Sequence, residues 1–154
     1  FNVSDTPLNL SEITALYPTL IHDLLAHPGI WLVVGREGDQ VVVMSEEGVL
    51  TLDDVYRVEG RNPLARLAMP ARAAAAQLWR LARFPHAGDL ILMGRYDPEE
   101  QTVVCFEDQW ACHGGLGGPQ GVAFMIADRG IDWHLDRVEQ ATELYPLFKR
   151  RYTI

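Results

Sequence analysis

Two short apolar runs, Ile30–Val34 and Val41–Met44, constrain the fold more than any other feature of this 154-residue chain. Each is too short for a buried helix. The second is rich in valine, and the first carries β-branched residues at its start and end. Between them lies Arg36-Glu37-Gly38-Asp39, a polar turn with a glycine. This pattern reads as an antiparallel hairpin with buried strands. Gly48 marks a second turn before another short run, Val49–Leu52. The motif recurs later: Asp89–Met93 reads as a strand, Tyr96-Asp97-Pro98-Glu99 as a turn, and Thr102–Phe106 as the returning strand. A last strand is expected at Val122–Ile126.

Helical spacing fills the gaps between these strands. Asn9 with Glu12 three residues on resembles a capping box. Ile13, Leu16, Tyr17, Leu20 and Leu24 then recur at helical intervals, with Pro18 predicting a kink or two short helices. His27-Pro28-Gly29 closes the segment. Asn62-Pro63 opens a second stretch, with Leu64, Leu67, Ala71, Ala75, Leu78 and Ala82 on one face. Pro70 splits it, residues 71–82 are alanine-rich, and Pro85 and Gly88 end it. Asp136 and Glu139 suggest another capping box. It leads a last helix whose inner face is Val138, Ala141, Leu144, Tyr145 and Phe148, with Pro146 internal. The expected class is α/β: a mixed sheet with antiparallel hairpins covered by helices, with α+β as the alternative label. Residues 1–154 are expected to form one domain, or the larger part of one.

Hydrophobic residues make up 48% and charged residues 22%, the composition of a chain that folds. The net charge of -8 argues against nucleic acid as a partner, because an acidic surface repels a phosphate backbone. No apolar run approaches the roughly 20 residues needed to span a bilayer, and no signal peptide is visible. The first residue is Phe1 rather than Met, which reads as a piece of a longer protein. Cys105 and Cys112 are too few for a disulfide framework. Cys105 is expected to be a buried small hydrophobe. A sheet edge left exposed would invite pairing with a second copy, giving a homodimer.

The strongest chemical signal is His113-Gly114-Gly115-Leu116-Gly117-Gly118-Pro119-Gln120-Gly121, in which a histidine precedes five glycines in eight residues. Imidazole is a versatile metal ligand and base, and backbone free of Cβ atoms can approach a metal or anion closely. The plainer reading is a histidine that caps a turn whose glycines supply positive φ. Glu107 and Asp108, five or six residues upstream, could join His113 as carboxylate ligands, or simply be a solvated strand end. His22, His27, His86 and His134 read as surface residues. Trp31, Trp79, Trp110 and Trp133 read as core or loop anchors. Ser4, Ser11 and Ser45 lack the setting of a catalytic nucleophile.

Several stretches together resemble a family. They are His27-Pro28-Gly29-Ile30, Val58-Glu59-Gly60-Arg61-Asn62-Pro63-Leu64, Gly88-Asp89-Leu90-Ile91-Leu92, Phe106-Glu107-Asp108 and the His113–Gln120 run. The resemblance is to the C-terminal part of a bacterial branch of the alkaline phosphatase superfamily, which includes nucleotide pyrophosphatases and phosphodiesterases. It covers about residue 10 to the end, and the His-Gly-Gly-Leu-Gly-Gly run is its most specific element. The resemblance implies an α/β/α sandwich and metal-dependent phosphoester hydrolysis. It also implies two divalent metals, usually zinc, and a Thr or Ser nucleophile. His113 matches the last metal ligand, and Gly114, Gly115, Gly117 and Gly118 would form the loop near the substrate.

Two departures stand beside this match. Cys112 replaces the small hydroxyl residue that commonly precedes the histidine. The family's nucleophile, its early Asp ligand and its Asp-His-Gly ligand motif lie N-terminal to everything present, and no Asp-His-Gly occurs in this sequence. On this reading the chain supplies one ligand of a two-metal site. It is inactive alone, binds no metal tightly and has the missing N-terminal part as its partner. Any membrane anchor would lie outside it. The alternative expectation is a non-catalytic domain that binds a partner or scaffolds a membrane-associated assembly, marked by an exposed apolar patch.

Overall fold

A computed structural model gives the fold; it describes residues 6–67, 69–108, 115–116, 123–131, 133–135, 138 and 141–152. The chain divides into two compact units, Phe1–Val122 and Ala123–Ile154.

The first unit is built on the hairpin pattern. Strands β1 (Ile30–Glu37), β2 (Gln40–Ser45), β3 (Gly48–Leu52) and β4 (Tyr56–Gly60) follow one another, and β5 (Ile91–Gly94) returns to the far side of β1. The sheet order is β4-β3-β2-β1-β5, and every pairing is antiparallel. The chain is therefore a mixed α/β fold whose five-stranded sheet is wholly antiparallel. For β1 to β4 the physical reason lies in the connections, which are too short to permit a parallel neighbour.

Alternation along the strands creates two apolar faces. Leu32, Val34, Val41, Val43, Leu50 and Leu52 point to one face and pack with Leu64, Ala74, Ala75, Leu78, Ala82 and Met93. Helix α3 (Ala71–Ala82) covers that face. It begins directly after Pro70 and buries its alanine side, whose small side chains let the helix approach the sheet. Val33 and Met44 point to the other face with Ile30, against Leu10, Ile21, Leu24 and Leu25. Those residues belong to α1 (Leu10–Leu16) and α2 (Leu20–Ala26). A register shift between Ile30 and Leu32 puts Ile30 on the same side as Val33. Helices therefore lie on both sides of the sheet.

Pro18 does separate two short helices. The start of α1 is held by Glu12 Oε2, which accepts the Asn9 N–H at 2.7 Å, and by Glu37, which accepts from the Ser11 N–H and Oγ at 2.9 and 2.8 Å. Asn9 Oδ1 accepts the Gly38 N–H at 3.0 Å, tying the helix start to the β1–β2 turn. Gly35 lets α1 approach: a Cβ there would lie 2.5 Å from Leu10 Cδ2.

Several expectations are corrected. Residues 63–66 form turns rather than a helix, although Leu64 is buried. The four residues 63–66 cannot repay the cost of nucleating a helix. Strand β4 was not legible as a strand. The expected strand Thr102–Phe106 shrinks to β7 (Thr102–Val103), paired with β6 (Tyr96–Asp97) rather than with β5. Ala123–Ile126 contains no strand, and Phe124 and Ile126 are each 88% exposed; Val122 lies outside the described residues.

In the second unit, a 3-10 turn at Ala141–Glu143 leads into α4 (Leu144–Tyr152). Pro146 sits in the first turn of α4, where its missing N–H costs no intrahelical bond. Phe148 meets Trp133 edge-on at 4.9 Å and stacks with Tyr152 at 6.2 Å. Lys149, Arg150 and Arg151 fall in the last turn, where positive charge complements the helix dipole. The expected inner face is not buried: Tyr145 is 66% exposed and no residue of α4 is buried. Asp136 and Glu139, the expected second capping box, lie outside the described residues. Among the described residues no helix is long and apolar enough to cross a membrane.

Candidate functional site

The approach to the glycine run starts at the end of β5. The Arg95 N–H donates to the Gly29 carbonyl at 3.0 Å, and the Val104 N–H donates to the Arg95 carbonyl at 2.9 Å. Gly94 is required by this crossing, because a Cβ there would collide with the Val104 carbonyl oxygen. The β6–β7 hairpin therefore folds tightly against the end of the main sheet. Asp97 Oδ1 shapes its turn by accepting the Glu99 and Glu100 N–H groups at 2.8 and 3.1 Å. His27 Nδ1 accepts the Gly29 N–H at 3.1 Å, so this histidine belongs to the Pro-Gly turn.

Beyond the hairpin, Cys105 is a free thiol of intermediate burial, not the fully buried residue expected. It sits two residues past the end of β7. Glu107 and Asp108 are exposed. His113, Gly114, Gly117 and Gly118 lie outside the described residues, as do Trp110 and Cys112. Gly115 and Leu116 are described and half-buried. Leu116 packs against the core cluster that α3 shares with the sheet. Leu116 is thus anchored by apolar contact. Among the described residues no three His, Cys, Asp or Glu side chains gather as a metal would need. His22, His27, His86 and His134 are all exposed.

A groove that no sequence signal announced lies between α3 and the β3–β4 connection. It has a volume of about 440 Å³ and is lined by Asp53, Asp54, Tyr56, Arg72 and Trp79 over a floor of Leu52, Ala75 and Ala76. Asp53 is fully engaged. It accepts the Val55 N–H at 2.6 Å, Gln40 Nε2 at 2.8 Å and Arg57 Nη2 at 2.6 Å. The Val55 N–H bond, with Gln40 and Arg57 adding to it, holds the carboxyl below its ordinary pKa against a smaller opposing effect of desolvation. The Tyr56 hydroxyl accepts from Asn62 Nδ2 at 3.0 Å, and the Arg83 guanidinium lies over the Trp79 ring at 4.6 Å. These contacts brace the connection. Among the described residues they place no nucleophile beside a base. Only the tertiary fold reveals the groove, because its walls come from segments about 20 residues apart.

Comparison with protein-family models, curated proteins and solved structures finds no match to this chain.

Proposed function

We propose that this chain is the C-terminal portion of a metal-dependent phosphoesterase, supplying His113 as one metal ligand and the glycine run as a loop beside the substrate. The observation that carries the reading is the His113–Gln120 sequence itself, which follows a sheet strand and the tight β6–β7 hairpin. Two features of the fold support it. Leu116, within the run, packs against the core. Strand β5, Ile91-Leu92-Met93, carries apolar side chains on both faces, the character of a strand inside a larger sheet.

A divalent metal, zinc in this reading, would polarise the phosphoester and help form the nucleophile near neutral pH. One imidazole is too few donors to hold it. The other ligands and the nucleophile would come from the N-terminal part of the same protein, and the chain is inactive alone. In the longer protein, His113→Ala is expected to lower hydrolysis of a chromogenic phosphodiester by at least about 100-fold, since ligand loss removes the metal's electrostatic contribution. Zinc content should fall in parallel. Undiminished activity with undiminished zinc would sink the reading.

A second reading is a non-catalytic domain that binds a partner, favoured by Phe124 and Ile126, each 88% exposed. The upstream reading frame separates the two. A Thr or Ser nucleophile followed by an Asp-His-Gly motif supports the phosphoesterase; their absence supports the binding domain.

A further inference from the structure

The two edges of the sheet differ in character. Where β5 is apolar, β4 is charged and open: Arg57, Val58, Glu59 and Gly60 are all exposed. Among the described residues no strand pairs with its outer side. An edge of this kind presents a row of unpaired backbone donors and acceptors. Proteins commonly protect such edges with charged side chains, lysine above all, with proline, or with a covering segment. Strand β4 has neither proline nor lysine, and its side chains are arranged in a particular order.

The register fixes that order in space. Arg57 lies opposite Thr51, and Glu59 opposite Val49, which belongs to the face covered by α1 and α2. Val58 lies opposite Leu50, on the face covered by α3. Arg57 and Glu59 therefore share one face, and Val58 sits between them on the other. Such a triplet complements itself. When it meets an antiparallel copy centred on Val58, each Arg57 falls opposite a Glu59, and Val58 meets Val58 at the centre. Opposite charges directly across an antiparallel pair are favourable, and like charges are not.

We propose that the β4 edge pairs antiparallel with the β4 edge of a second copy of this chain, about a two-fold axis through Val58. The contact is isologous, so it closes at the dimer and does not propagate into a fibre. It joins two five-stranded sheets into one of ten strands. Arg57 already pairs with Asp53 at 2.6 Å, which holds it near the edge. Its side chain remains 54% exposed and open to a second carboxylate. Val58 is 39% exposed and Val55, just before the strand, is 60% exposed, so apolar surface is buried along with the charges. None of this depends on the phosphoesterase reading.

A pairing of five residues per strand is small, below roughly 1,200 Å² in total, so the dimer is weak. Sedimentation velocity of the 154-residue chain should show dimer appearing between about 10 µM and 1 mM, the range such an interface supports. Glu59→Arg sets arginine against arginine across the axis and should weaken the dimer at least tenfold, about 1.4 kcal/mol. Arg57→Glu should do the same with carboxylates. The double swap, Arg57→Glu with Glu59→Arg, restores complementarity and should bring the affinity back to within about threefold of the original.

Arg57→Glu also loses the pair with Asp53, so Glu59→Arg and Val58→Lys, both at exposed positions, keep the test independent of folding. Val58→Lys puts two like charges at the axis and must dissociate the dimer. Far-UV circular dichroism confirms that each variant is folded. A dimer indifferent to Glu59→Arg and Val58→Lys uses another surface and overturns the proposal. So does a chain that stays monomeric at about 1 mM, whether its β4 amides exchange freely or are protected by a covering segment.

Discussion

Asp53 shows how one side chain can organise a connection. It accepts the Val55 N–H, closing the turn between β3 and β4, and holds Gln40 and Arg57 on either side. All three contacts favour the ionised carboxylate, with the backbone bond foremost. Because the folded pKa is depressed, the stabilisation is present above the ordinary carboxylate pKa of about 3.9 and is lost as pH falls through the folded value. Thermal melts from pH 7 to pH 2 should therefore show the native chain losing stability more steeply below about pH 4 than Asp53→Asn does. At neutral pH the variant should be the less stable of the two. Nothing around Asp53 in the sequence announces this role. Val55 and Arg57 follow it closely in sequence, but Gln40 stands in β2, and only the sheet register brings it to Asp53.

At the scale of single elements, local chemistry was legible where it acts within a segment. Pro18 separates α1 from α2 because a proline N lacks the proton an interior turn requires. Pro70 marks the start of α3, whose bounds, Ala71–Ala82, follow from the alanine run and the turn residues after it. The β1–β2 hairpin follows from two apolar runs around a polar turn. Strand β4 was not legible, because Arg57, Val58 and Glu59 show no buried face and the strand is defined only by its bonds to β3.

The docking of α1 depends on one absent side chain. Gly35→Ala would place a Cβ 2.5 Å from Leu10 Cδ2 and 3.3 Å from Leu90 Cδ2. Leu10 must leave its rotamer or α1 must lift from the sheet. Overpacking of this kind costs about 1–3 kcal/mol, against about 0.4–1 kcal/mol gained from a stiffer unfolded chain. A net loss of about 1–2 kcal/mol is expected. It should be read as a lower urea midpoint at unchanged slope, with faster amide exchange in α1 than in β1.

At the scale of the whole molecule, the buried hydrophobic residues of the described chain run from Ile13 to Met93. They all lie in the unit Phe1–Val122, which holds the sheet and its covering helices. A chain ended at Val122 should therefore still unfold cooperatively, with a Tm within about 5 °C of the whole. Calorimetry of the two lengths checks this. A broad transition without a heat-capacity peak would show that the core needs more of the chain than the sheet and its helices.

The sequence alone determined the β1–β2 hairpin, the break between α1 and α2 at Pro18, and the start of α3 after Pro70. Proline, glycine and short-range periodicity act within a few residues, so their effects can be read in order along the chain. It also pointed to His113 and its glycines, because an unusual composition is visible without a fold. The tertiary structure alone decided that β5 returns to pair with β1, that β4 is left at the edge, and that Leu116 reaches the core beneath α3. A strand's hydrogen bonds are made to its neighbour and not within itself. Its place in a sheet is therefore a property of the assembled chain and not of the segment.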